Sequence, residues 1–333
     1  MKLKKCFIII SLGICLTPAF SVIFHLNKGT EQISFGVIAV RIAHFEAFID
    51  MYLYIRANIL MVRNPVPLNV REGKDNCFFL GDEFVNIYSK SMNFIQSDED
   101  CIKKVAFQID SIKRYSENLG YSFYTTIAPS KHTVYPDYLP RKPLPPVSKD
   151  IDMLKKQGIN LIDMKEYMIP LKDSLFLYYK TDSHWNDYGA FLGAKKLLDV
   201  IRQDYPLISE LNINDYDIEE FIFEGGDLLK MLKKNVPETQ IRLIPKVSIP
   251  IQEESQRLKS DMWFRYYNPT KKMKVLVIGD SFFHNIANFI SSQFGEVYKI
   301  HIIDFDFEIL DKEKPDIVIF ECAERDICNF SLF

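Results

Sequence analysis

The stretch Lys274-Val275-Leu276-Val277-Ile278-Gly279-Asp280-Ser281-Phe282-Phe283 decides the fold. Val275 to Ile278 form an unbroken apolar run, which is what a strand covered on both faces needs. Gly279 permits a sharp turn. Behind it Phe283, Ile286, Phe289 and Ile290 recur at helical spacing. A strand, a turn and a helix in that order lift Ser281 to the mouth of a sheet. They also aim the free N–H groups of a new helix at whatever Ser281 attacks.

A serine is a weak nucleophile without a base. The candidate base lies about a hundred residues upstream, in Tyr178-Tyr179-Lys180-Thr181-Asp182-Ser183-His184-Trp185-Asn186. On a loop, residues i and i+2 can turn toward each other. Asp182 can then hold one ring N–H of His184 and leave the other nitrogen as a base. His184 also stands just before a helix N-terminus, whose positive end favours the neutral ring. The two stretches together read as one acyl-transfer site of Ser281, His184 and Asp182. His284, three residues from Ser281, is a rival base. Asp280 points away from the serine and reads as structural.

Outward from these stretches the chain alternates helix and strand. Ile102 to Leu119 carries Val105, Ile109, Ile112 and Leu119 on one face, with Gly120 as its cap. Tyr121 to Ala128 and Ile159 to Met164 read as strands, and Lys149 to Gln157 as a short helix between them. Asn186 or Asp187 caps a helix running to about Gln203. Further strands are expected near Val297 to Ile303 and at Asp316 to Glu321. Strands alternating with helices imply parallel pairing. Residues 204–270 break the alternation with short strands and loops such as Glu224-Gly225-Gly226-Asp227.

Composition sets the bounds. The 333 residues are 47% hydrophobic and 26% charged, with a net charge of −3. That describes a globular chain with no basic stripe for nucleic acid. Met1 to Lys5 holds three lysines, and Cys6 to Leu26 has no charged residue. A basic flank before an uncharged span predicts a membrane anchor with the rest of the chain outside. Ala19-Phe20-Ser21 also fits a small-x-small cleavage site. Phe45, Phe48, Ile49, Tyr52, Ile55 and Ile59 mark a helical run within Val37 to Val62, broken at Asn64-Pro65-Val66-Pro67. Outside the leader, Cys77, Cys101, Cys322 and Cys328 allow three disulfide pairings or none. No cofactor motif appears, and His25, His44, His132, His284 and His301 form no ligand cluster for a metal.

At Gly279-Asp280-Ser281-Phe282 and Thr181-Asp182-Ser183-His184-Trp185 the chain resembles the SGNH-hydrolase-like domain of alginate O-acetyltransferases, the AlgX/AlgJ type. Pro129-Ser130-Lys131 with Tyr135-Pro136 match as well. So do Tyr179-Lys180, Asn186 with Gly189-Ala190, and Pro315-Asp316 leading to Glu324-Arg325. The resemblance spans about residues 70–328. The Asp-x-His precedes the Gly-Asp-Ser, the reverse of ordinary SGNH esterases. No carbohydrate-binding domain is read after residue 328, as in the AlgJ type. The glycine and asparagine oxyanion donors of ordinary SGNH enzymes are not found.

The resemblance implies an α/β fold, an SGNH-hydrolase-like parallel sheet flanked by helices, with an N-terminal membrane anchor helix. The expected division is an anchor at 1–27, a helical lead-in at 28–72 and a catalytic domain at 73–333, with an insertion at about 204–270. It also implies a Ser281–His184–Asp182 triad in a membrane-anchored enzyme facing the periplasm or cell exterior. Such an enzyme acetylates an extracellular polysaccharide. Its acetyl groups come from a membrane-bound O-acyltransferase. Lys131, Tyr135, Tyr179, Trp185, Asn186 and Arg325 are the substrate-binding candidates. For Lys131 and Tyr135 the competing role is loop packing, for Trp185 a wedge against the core, and for Arg325 an ion pair with Glu324. An acetylesterase with the same triad, or a non-catalytic polysaccharide-binding or assembly subunit, are the rival readings.

Overall fold

The structure is a computed structural model, and it describes residues 69–83, 85–93, 97–143, 149–257 and 262–329. The expected anchor at 1–27 and helical run at Val37 to Val62 lie outside the described residues. Among the described residues no helix is long and apolar enough to cross a membrane.

Eleven strands are present among the described residues. They are β1 (Val70–Glu72), β2 (Phe78–Leu80), β3 (Ser122–Ala128), β4 (Leu161–Asp163), β5 (Tyr216–Phe223), β6 (Glu238–Pro245), β7 (Gln252–Arg257), β8 (Met262–Tyr267), β9 (Lys274–Gly279), β10 (Glu296–His301) and β11 (Ile317–Ala323). The main sheet has the order β4-β3-β11-β9-β10-β8-β7. Strands β4 through β10 in that order run parallel. The expected all-parallel sheet is therefore corrected to a mixed one. β8 pairs antiparallel with β10, and β7 antiparallel with β8. β7 and β8 follow each other over a short link, which can only reverse the chain, whereas parallel neighbours need a long crossover.

The longer helices are α1 (Glu99–Asn118), α2 (Asp150–Lys156), α3 (Asp187–Asp204), α4 (Phe283–Ile290) and α5 (Glu308–Glu313). Successive side chains of a strand point to opposite faces, and β9 shows how the layers follow. Val275 and Val277 enter one core with Ala190, Phe191 and Leu197 of α3 and Ile286 and Ile290 of α4. Leu276 and Ile278 enter a second core with Ile109 and Ile112 of α1, Leu154 of α2 and Leu310 of α5. Both faces of the central strands are thus covered, the physical reason their sequences are continuously apolar.

The ends of these helices follow from local chemistry. Asp98 accepts the N–H groups of Asp100 and Cys101 at the start of α1, and Gly120 past its end has φ +85°. The Asn186 side chain accepts the Gly189 N–H and starts α3. Cys101 and Cys328 form a disulfide, tying the first turn of α1 to the chain beyond β11, while Cys77 and Cys322 are free and buried.

Candidate active site

The carboxyl ends of parallel strands are where α/β folds collect functional groups. Three of them converge here: β9 runs into Ser281, β3 into Ser130 and Lys131, and β11 into Glu324 and Arg325. At the end of β9 a Cβ on Gly279 would lie 2.9 Å from Glu321 Oε2, so any side chain there would have to displace that buried carboxyl. Asp280 accepts the Phe282 N–H at 2.8 Å and the Ala323 N–H at 2.6 Å. It staples the serine turn to the end of β11, as its expected structural role requires. Burial pushes the carboxyls of both Asp280 and Glu321 upward.

The turn brings Ser281 Oγ to 2.8 Å from His184 Nε2. On the other side of the ring, Nδ1 lies 2.7 Å from Asp182 Oδ1, which also accepts the His184 backbone N–H at 2.9 Å. With a carboxylate at Nδ1, the ring proton sits there and Nε2 is left to accept from the serine hydroxyl. Asp182 Oδ2 accepts the Asp227 N–H at 2.8 Å. Burial alone would raise the Asp182 carboxyl. The His184 hydrogen bond and charge, with the N–H groups of Asp227 and His184, outweigh it and hold the carboxyl well below the usual carboxylate range. The Ser281 N–H has no protein acceptor among the described residues and stands at the start of α4. His284 does not take the base's place: its Nε2 lies 3.4 Å from Lys299 Nζ.

The other candidates divide. Lys131 is buried, and its ammonium donates to the carbonyls of Tyr179 (2.7 Å), Lys180 (3.0 Å) and Asp182 (2.8 Å). Its three donors are spent on holding the histidine loop. Tyr135 is buried and stacked on Phe176; its hydroxyl accepts the Leu177 N–H and donates to the Lys172 carbonyl. Asn186, also buried, caps α3 and donates to Phe176 O and Gln240 Oε1. Trp185 is the wedge: fully buried, it donates Nε1–H to the Phe282 carbonyl at 3.1 Å. These four position the loop and the serine turn.

Tyr179 and Arg325 remain partly exposed. Tyr179 stacks on Phe223 of β5. Arg325 lies 5.0 Å over the Phe282 ring, which also packs against the His184 ring at 4.9 Å and the Trp185 ring at 5.1 Å. The expected Glu324–Arg325 ion pair is corrected. Arg325 pairs with Asp326, and Glu324 accepts from Ser130 N and Thr133 Oγ1. Glu324 is turned inward to the donors at the end of β3, which leaves Arg325 to its other neighbour.

Sequence reasoning passed over the residues that the 204–270 segment contributes. The Glu238 carboxylate accepts the N–H groups of Lys180 and Thr181 and the Thr181 hydroxyl. Asp227 accepts from Ser183 N at 2.7 Å and Ser183 Oγ at 2.5 Å. Gly226 packs so closely on Asp182 that no side chain fits. The only local signal was Gly225-Gly226-Asp227, which read as a turn. Asp182, His184 and Asp227 bring polar atoms within 4.8 Å of one another. That spacing would suit a metal ion, but the ring proton and the loop N–H groups already occupy the oxygens that would bind it.

Residues 70–297 match the profile of a family described as the SGNH hydrolase-like domain of the acetyltransferase AlgX. The chain belongs to this family. It therefore carries an SGNH-like domain of acetyltransferase type, as the sequence resemblance implied. No curated protein matches the chain in sequence. Among solved structures it is similar to Bacillus cereus PatB1 with a sulfonyl adduct, at 15% identity and a TM-score of 0.63, over 77% of this chain and 94% of that one. It is similar to a DHHW family protein from Eubacterium siraeum at 15% identity and a TM-score of 0.54, over 69% of this chain and 87% of that one. The O-acetyltransferase domain of Pseudomonas putida AlgJ aligns at 16% identity and a TM-score of 0.48, over 79% and 93% of the two chains. At such identities the first two likenesses speak for the fold alone.

Proposed function

We propose that the protein is an extracytoplasmic O-acetyltransferase that moves acetyl groups to hydroxyls of a polysaccharide through an acetyl-enzyme on Ser281. The observation that carries this reading is the unbroken hydrogen-bond line from Asp182 through His184 to Ser281, with the Ser281 N–H unspent at a helix start. In the first half-reaction Ser281 Oγ attacks the acetyl carbonyl carbon and its proton passes to His184 Nε2. The bond to the donor's leaving group breaks, and that proton goes to the leaving group. In the second half a sugar hydroxyl gives its proton to Nε2 and attacks the acetyl carbon. The bond to Ser281 breaks and the proton returns to Oγ. Asp182 holds the ring and supports the imidazolium. The Ser281 N–H supports the oxyanion in both halves.

Arg325 and Tyr179, the partly exposed candidates, are the proposed contacts of the acceptor. The Cys101–Cys328 disulfide supports an oxidising compartment. The lysine-flanked apolar stretch before residue 27 supports a membrane anchor with the domain outside. A membrane-bound O-acyltransferase is the proposed source of acetyl groups. The test uses the full chain in detergent with a chromogenic acetyl ester and mass spectrometry of the Ser281 peptide. Turnover and an acetyl adduct are expected, both lost in Ser281→Ala. A folded wild-type protein with neither refutes the reading. Release of acetate that added polysaccharide does not divert would make it an esterase.

A further inference from the structure

His184 faces a second carboxylate. Asp227 Oδ2 lies 3.8 Å from Nδ1, on the side of the ring already turned to Asp182. Between them stands Ser183, whose Oγ is 2.5 Å from Asp227 Oδ2 and 3.5 Å from Nδ1. Asp227 is also tied to Asp182 itself, through its backbone N–H on Oδ2. It opens the short helix Asp227–Met231 directly after Gly226. It thus reaches the imidazole from the inserted segment, more than forty residues further along the chain.

Resting on the acyl-transfer reading above, we propose that Asp227 is an auxiliary carboxylate of the site, a positioning residue that works through Ser183 to hold the His184 ring and support the positive charge it gains when Ser281 loses its proton. Asp182 makes the direct bond to Nδ1, and Asp227 supplies the second negative charge within Coulombic reach. Other charged groups around the loop include Lys180 on the loop itself, Asp187 at the start of α3, Glu238 of β6, Lys131 behind Asp182, and Arg325 over the Phe282 ring with its partner Asp326. Lys131, Lys180 and Arg325 oppose a further positive charge on the loop, and if Asp227 is neutral, Asp182, already shared with two N–H donors, is among the described residues the one carboxylate left within 4 Å of Nδ1. The inserted segment is then part of the catalytic apparatus. The site is incomplete without it.

The test separates charge from scaffold. Asp227→Asn keeps an oxygen for the Ser183 N–H and removes the charge; Asp227→Ser is a second neutral variant in case the first does not fold. The full chain, labelled at histidine Cε1, is titrated by NMR, with His184→Gln assigning the signal. In parallel, Ser281 acetylation by the ester is followed across pH. Removing a negative charge disfavours the imidazolium, so the His184 midpoint moves to lower pH by about one unit in both neutral variants. The acid limb of the acetylation profile moves with it, and the plateau rate falls roughly tenfold. Asp227→Glu restores part of both. An unmoved midpoint in a folded neutral variant overturns the proposal, even if activity falls, because Asp227 would then be scaffold only. A moved midpoint with no Ser281 adduct in the wild type refutes acyl transfer, while the charge coupling stands on the titration.

Discussion

Gly226→Ala is the substitution whose consequence the structure states most directly. Gly226 has φ −92° and ψ −164°, a backbone that alanine adopts freely. Strain is therefore not at issue, only space. An added Cβ would lie 2.6 Å from Asp182 Cα and closer still to the Asp182 side chain. Carbon atoms rest about 3.5–4.0 Å apart, so the loop or the Gly226 turn must open by roughly 1 Å. Asp182 cannot yield alone, because Oδ1 holds His184 and Oδ2 holds the Asp227 N–H. A displacement of about that size at a reacting group costs on the order of a hundredfold in rate. Overpacking costs about 1–3 kcal/mol in stability, a drop in Tm of roughly 2–12 °C for a domain of this size.

The assay is steady-state hydrolysis of a chromogenic acetyl ester with a thermal melt on the same sample. The fall should appear in kcat, with KM little changed. Gly120→Ala is the control. Its φ of +85° strains alanine but nothing lies within 4 Å of the new methyl, so stability falls by about 1 kcal/mol and kcat holds. If Gly226→Ala turns over within threefold of wild type, the packing of the 204–270 segment against Asp182 does not govern the site.

Lys131→Met keeps the stem but leaves three loop carbonyls without their donor. At about 1–3 kcal/mol for each lost buried partner, Tm should fall by well over 5 °C; a melt within a degree or two of wild type would show that water replaces the ammonium. His132 is buried with Nε2 on the Leu80 carbonyl, and burial pushes it down from 6.5 to about 3. The folded protein keeps it neutral while the unfolded chain takes up the proton, so stability should decline as pH falls through 6.5 toward 3. The urea midpoint of His132→Gln should lose less than wild type between pH 7 and pH 4.5, and identical losses would refute the assignment. The disulfide closes a separation of 227 residues. Chain entropy puts its contribution at about 5 kcal/mol, and Cys101→Ser with Cys328→Ser should lower Tm even without reductant. An unchanged melt would show that the bridge adds no stability.

The sequence by itself determined the parts whose signals are local. An apolar run followed by glycine and a helical stripe specifies β9, the serine turn and α4, because strand period, turn and helix period are all read within one short window. Asp182 and His184 were legible for the same reason: two residues apart on a loop, they can meet without help from the rest of the chain. Pairings between distant segments were not legible. Nothing near Lys131 says that its ammonium will be spent on carbonyls some fifty residues away, so a substrate contact and loop packing stood as competing roles for it. The Cys101–Cys328 pairing, the antiparallel edge of β7 and β8, and the hold of Asp227 and Glu238 on the histidine loop were likewise decided by tertiary packing. Long-range hydrogen bonds leave no periodicity in sequence. They join residues only once the sheet has set the distance between them, and in this protein it is the sheet that brings the strand ends, the histidine loop and the 204–270 segment to one edge.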